Sequence, residues 1–181
     1  CHMPTQTYMQ ADRRHDHSFR IPQPAVSAAA SAPVVCLACH PGKDSAWAEA
    51  VIASHYPQRK KPFQTFGAAF AGLERGAAGA TQQVLAIASD PTQPPIVRAS
   101  ALRRLAHAGA TVPESLLATA SRDSDVLLRS TAAELAAEDE SILTPLLGDP
   151  LRAVRLNAVL GLAPRDGIWL QSNAEYLASL R

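Results

Sequence analysis

The chain has 181 residues, of which 47 % are hydrophobic and only 5 % aromatic, and its formal net charge is +1. That length suits one domain, or one small and one medium domain, and a core short of aromatics has to be built from Ala, Leu and Val, which favours close-packed helices over a sandwich or barrel. So balanced a charge offers no dense basic face for nucleic acid, and the longest apolar run, Ala25 to Cys39, is too short and too broken by Ser27, Ser31 and Pro33 to span a membrane.

Residues 1 to 44 are polar, rich in His, Arg and Pro, and carry no clean helical period. Pro22, Pro24 and Pro33 predict loops and short turns here, and the few apolar residues are too sparse to order the segment by themselves. The sequence opens on Cys1 without a signal peptide and stops at Arg181 directly after an amphipathic stretch. Both ends read as cuts inside a longer protein, so the missing targeting segment says nothing about the parent.

Residues 45 to 80 predict two connecting helices. Ser45 is the expected N-cap of the first, followed by Trp47, Val51 and Ile52 at helical spacing. Pro57 and Arg59-Lys60-Lys61-Pro62 end it. Phe63, Phe66, Phe70 and Leu73 then share one face of the next helix, which Gly76 and Gly79 stop.

From residue 81 to 164 the sequence repeats itself. Val97-Arg98-Ala99-Ser100-Ala101-Leu102, Leu128-Arg129-Ser130-Thr131-Ala132-Ala133 and Val154-Arg155-Leu156-Asn157-Ala158-Val159 are matching segments whose arginines lie 31 and 26 residues apart. Each follows an acidic turn: Asp90-Pro91, Asp123-Ser124-Asp125 and Asp149-Pro150. Before each turn runs a short apolar stretch, namely Val84-Leu85 with Ile87, Leu116-Leu117, and Ile142-Leu143 with Leu146-Leu147. The unit is helix, Asp turn, helix, and it resembles a HEAT repeat. One such pair cannot bury its apolar stripe alone, so stacking is expected, with Leu102, Leu105, Leu135, Val159 and Leu162 buried. Each arginine is expected to bond the Asp or the turn carbonyls of its own or the neighbouring unit. Residues 165 to 181 predict a last helix, Ile168 to Leu180, that caps the stack or leads into further repeats. The expected fold class is therefore all-α: a loop-rich segment followed by an α-solenoid of HEAT-like helix pairs.

The motif that carries chemistry is Cys36-Leu37-Ala38-Cys39-His40. Cys-x-x-Cys-His places two thiols on one turn, at the separation of the two vinyl groups along a porphyrin edge, and the next residue turns its imidazole toward the iron. Covalent haem would also supply the apolar mass that this segment lacks. A thioredoxin-like pair would need a strand before the motif and a helix after it in a βαβ unit, which the sequence does not offer. A zinc site would have to use the adjacent Cys39 and His40 on one tetrahedral ion, a strained pairing. Haem is the expected reading, with Cys36 and Cys39 as covalent attachment points and His40 as proximal iron ligand.

Cys1-His2-Met3-Pro4, Tyr8-Met9, Arg13-Arg14, Asp16-His17-Ser18-Phe19-Arg20-Ile21-Pro22, the Cys36-to-His40 motif and Trp47-Ala48 are similar in order and spacing to a family of secreted multihaem cytochromes c. This family is of the cytochrome c554-like, doubled Cys-x-x-Cys-His type, and its members often carry helical repeats after the haems. His-Met is also a common expression-vector scar, but Pro4 and Tyr8-Met9 continue the family pattern. The resemblance covers residues 1 to about 57; residues 81 to 181 match by repeat type only. Pro33-Val34-Val35 is apolar where the family has a polar run, and His55 stands where an aromatic is usual.

The resemblance implies that Cys1 belongs to a truncated second haem site with His2 as its proximal ligand. It also implies bis-histidine ligation, for which His17 is the candidate distal ligand. His15 is expected to be a solvated loop residue, His55 to cap the end of its helix, and His107 to lie on the repeat surface. Arg13, Arg14 and Arg20 are either propionate partners or solvated loop residues. Electron transfer is the implied function, with the repeats as a docking surface for a redox partner protein or other haem domains of the same chain. A multihaem oxidoreductase acting on a small nitrogen or sulfur compound, in which one haem keeps an open position, is the alternative; a pure repeat scaffold is the third reading. Haem c is attached outside the cytoplasm, so a periplasmic or extracytoplasmic location is expected.

Overall fold

The computed structural model describes residues 5–15, 22–58, 64–137 and 139–163. The chain is mostly helical and divides into two compact units that meet between Arg75 and Gly76. Among the described residues no helix is long and apolar enough to cross a membrane.

The first unit opens on a feature the proline-rich composition concealed. Strands β1 (Thr5–Tyr8) and β2 (Asp12–His15) form an antiparallel hairpin in which Thr5 pairs with His15 and Tyr8 with Asp12. The β-prone Thr5, Thr7 and Tyr8 favour the extended backbone. Met9 and Gln10 turn it with positive φ of 49° and 63°. Every strand residue is exposed, so the hairpin has no buried face. Helix α1 (Pro24–Ala29) follows, with Pro24 at its first position. Pro24 was expected to interrupt a helix; at that position its missing N–H costs nothing and its fixed φ favours the start.

After a 3-10 turn over Val35–Ala38 come α2 (Ser45–His55) and α3 (Gly67–Glu74). The N-cap of α2 is Asp44 rather than Ser45: its carboxylate accepts the Trp47 amide at 2.7 Å, satisfying an N–H that the helix itself leaves open. Helix α1 packs against both α2 and α3, and the Glu49 carboxylate ties α2 back to the Ala25 amide at 3.2 Å. Ala48, Ala69, Phe70, Ala71 and Leu73 are buried. Phe66 precedes α3 and tilts its ring onto Phe70 at 5.3 Å, as the shared face requires, while Phe63 lies outside the described residues. Gly76 and Gly79 both take positive φ, Gly79 as the residue before α4.

The second unit is built from α4 (Ala80–Ser89), α5 (Pro95–His107), α6 (Glu114–Ala120), α7 (Val126–Leu135), α8 (Glu140–Leu146) and α9 (Arg152–Leu162). No strand occurs among its described residues. Helix α4 packs on α5, α6 on α7 and α8 on α9, and the second helices contact one another in the order α5, α7, α9. The three matching sequence segments fall on those second helices. Leu102, Leu105, Leu128, Leu143, Val154 and Val159 are fully buried, each such side chain contributing about 1.5–3 kcal/mol. Leu135 and Leu162 are only partly buried at the edge of this core. The last stretch, Ile168 to Leu180, lies outside the described residues.

Each turn aspartate first closes its own loop: Asp90 accepts the Thr92 amide, Asp123 the Asp125 amide and Asp149 the Leu151 amide, all at 2.9 Å. Two of them also receive the arginine of the preceding unit. Arg98 Nη1 donates to Asp123 Oδ2 at 3.0 Å, and Arg129 Nε donates to Asp149 Oδ2 at 2.6 Å. The arginines bond backbone carbonyls as well: Arg98 that of Ala88 at the end of α4, Arg129 those of Asp123 and Ser124 in the turn, Arg155 those of Asp149 and Pro150. The amide of Asp125, opposed by burial and reinforced by Arg98, holds the Asp123 carboxyl below its ordinary range. The Arg129 hydrogen bond does the same for Asp149, and Asp149 in turn raises Arg129.

Candidate haem site

Cys36 lies inside the 3-10 turn, and Cys39 and His40 follow it at once. One carbonyl organises all three. The Cys36 oxygen accepts the Cys39 amide at 3.2 Å and the His40 amide at 3.1 Å, so the chain completes a single tight turn between the first cysteine and the histidine. The Val34 carbonyl accepts the Leu37 amide at 3.0 Å and starts the turn just after Pro33. Both thiols are free; Cys36 is half-buried and Cys39 exposed.

His40 is exposed, and no hydrogen bond engages its ring nitrogens among the described residues. Its imidazole packs against the indole of Trp47, with ring centroids 4.9 Å apart and planes at 53°. The Lys43 ammonium sits 5.7 Å from the same indole centroid. The helical spacing of Trp47 does not reveal this contact in the sequence, because it depends on how the turn folds back toward the start of α2.

These residues fit a covalently held haem. Two unbridged thiols on one turn are what thioether formation needs, and an imidazole with unengaged nitrogens is what iron ligation needs. The motif lies between α1 and α2, with no strand beside it, unlike the strand–motif–helix order of a thioredoxin-like pair. Among the described residues no group of three or more His, Cys, Asp or Glu is arranged to hold a bare metal ion.

Cys1, His2, His17 and Arg20 lie outside the described residues. His15, expected in a loop, is on β2, where its Nδ1 shares a hydrogen bond of 3.0 Å with the Thr5 hydroxyl. His55 ends α2, and its Nδ1 donates to the Val51 carbonyl at 2.9 Å, an oxygen that also accepts from the Ser54 hydroxyl at 2.8 Å. His107 is exposed at the end of α5. Arg14 pairs with Asp12 at 3.3 Å and lies over the Tyr8 ring at 4.7 Å. Comparison with protein-family models, with curated proteins and with solved structures returns no match.

Proposed function

We propose that this chain carries haem c on Cys36 and Cys39, with His40 as the proximal iron ligand, and transfers electrons as part of a multihaem c-type cytochrome. The observation that carries this reading is the single turn, closed on the Cys36 carbonyl, that gathers two free thiols and an imidazole with unengaged nitrogens. When bound, the haem supplies a one-electron iron couple. The chain's own residues anchor it: Cys36 and Cys39 by thioethers, His40 by its imidazole. Cys1, as a single thioether, and His2, as proximal ligand, would belong to a truncated second haem site, and His17 would close the distal position of one of the two haems.

The first unit's composition supports a cofactor of this size. Its hairpin exposes every strand residue, and a two-stranded ribbon without a buried face is marginal alone. A haem offers the apolar surface such a segment lacks.

The second unit is read as an α-solenoid of HEAT-like repeats that docks a redox partner protein or other haem domains of the same chain. The Asp-turn and arginine device, repeated along α5, α7 and α9, supports that reading. The proposed setting is periplasmic or otherwise extracytoplasmic, where haem c is attached. An optical spectrum of the chain produced with a c-type maturation system tests the function. A low-spin spectrum with both axial positions filled is expected. A high-spin component would favour an oxidoreductase with an open iron position, and no haem band would reject the reading.

A further inference from the structure

The His40–Trp47 contact gives this site a part that the Cys-x-x-Cys-His motif does not contain. We propose that Trp47 is a positioning residue, which holds the His40 imidazole in a defined orientation for the iron; the proposal rests on the haem reading of Cys36, Cys39 and His40.

The argument starts from what fixes each ring. Trp47 belongs to the first turn of α2, where its amide is bonded at 2.7 Å by Asp44, so the indole is carried on a capped helix rather than on a loop. His40 has no such support. It follows the 3-10 turn, its side chain is exposed, and no hydrogen bond engages its ring nitrogens among the described residues. In most sites where a histidine meets a metal, a hydrogen bond to the second ring nitrogen fixes its orientation. Here the contact within reach is an aromatic ring: the indole centroid lies 4.9 Å away with the planes tilted by 53°, inside the range of about 4.5–7 Å in which aromatic pairs attract. Asp44 and Lys43 serve the same arrangement from the intervening loop. Asp44 secures the helix start, and Lys43 places its ammonium 5.7 Å from the indole centroid while its amide bonds the His40 carbonyl at 3.2 Å. Lys43 and Asp44 thus hold the indole and its helix start, and the indole is the group that meets the imidazole.

Removing the indole leaves both thiols and the imidazole in place, so attachment and positioning separate experimentally. The test uses the full chain as wild type, Trp47→Ala and Trp47→Phe, each made with and without a c-type maturation system. Without haem, the His40 ring protons are expected upfield of their random-coil positions by the indole ring current in wild type, to keep part of that shift in Trp47→Phe and to lose it in Trp47→Ala. With haem, all three should stain for covalent haem on a denaturing gel. The reduction potential of Trp47→Ala should fall, because water reaches the imidazole and iron face more freely and favours the more charged oxidised state, and Trp47→Phe should restore most of it. Stained variants with one common potential and no ring-current shift would overturn the positioning role while leaving the haem reading intact. A wild-type chain that takes no haem would overturn both.

Discussion

Arg129 grips Asp149 with two donors, Nε to Oδ2 at 2.6 Å and Nη2 to Oδ1 at 3.4 Å, while its Nη1 holds the carbonyls of Asp123 and Ser124. The side chains are 15 % and 4 % exposed, so this pair is largely withdrawn from water. One guanidinium thus joins its own turn to the next, and removing it strands a carboxylate in the interior. Arg129→Ala should cost about 2–4 kcal/mol of unfolding free energy. Arg155→Ala removes bonds to the Asp149 and Pro150 carbonyls alone among the described residues, and should cost about 1 kcal/mol. Urea unfolding of both variants checks the order; equal costs would show that the Asp149 pair contributes nothing of its own.

The same aspartates set a pH dependence. Asp149 is held below the ordinary carboxylate value of 3.8 by the Arg129 hydrogen bond, and Asp123 by the Asp125 amide. A carboxyl whose folded-state value is depressed binds its proton more readily when unfolded. Its contribution is therefore fully present above the unfolded value and is lost as the pH falls through the folded one. The second unit should keep its stability down to about pH 4 and lose it steadily below. Asp149→Asn should be less stable at neutral pH but fall less steeply in acid. Parallel acid limbs for variant and wild type would contradict the assignment.

Gly161 decides between two opposed effects. An alanine inside α9 would gain about 1 kcal/mol of helix propensity. Its Cβ, however, would sit 2.9 Å from Leu143 Cδ1 and 3.2 Å from the Ala133 carbonyl oxygen, a backbone atom, and Leu143 is fully buried. Overpacking of this kind costs about 1–3 kcal/mol. Gly161→Ala should therefore lower the thermal midpoint, and a raised midpoint would mean that α8 can shift away from α9.

Much of this was legible in the sequence because it rested on periodicity. Val97, Leu102, Leu128, Val154 and Val159 recur in the matching segments beside a repeated arginine, and all lie in the core of the second unit. The arginines' preference for turn carbonyls and aspartates also followed from that repeat. The hairpin is not legible in the sequence because Thr5–Tyr8 and Asp12–His15 bury no face, so no alternation of apolar residues marks them. Helix α1 is not legible from Pro24 alone, because the effect of a proline depends on where in the helix it falls. Asp44 and Ser45 are both good caps, and only the backbone turn selects between them. At the proposed haem site the three chemical groups are legible in the sequence, while the Trp47 contact needs the fold of the intervening loop.

His17 lies outside the described residues, and the proposal that it is a distal ligand rests on the resemblance of the segment around it to multihaem cytochromes c. His17→Ala should convert a low-spin haem into a high-spin one and open the iron to an added ligand such as cyanide. An unaltered spectrum would assign the distal position to another histidine.

The most direct test of the central claim is covalent haem content after co-expression with a c-type maturation system, read by haem staining on a denaturing gel. Wild type should stain, with at most one haem held by two thioethers in this chain, and the Cys36→Ser/Cys39→Ser double variant should not. Equal staining of the two, or no stain in either, would contradict the assignment of Cys36, Cys39 and His40 as a haem site.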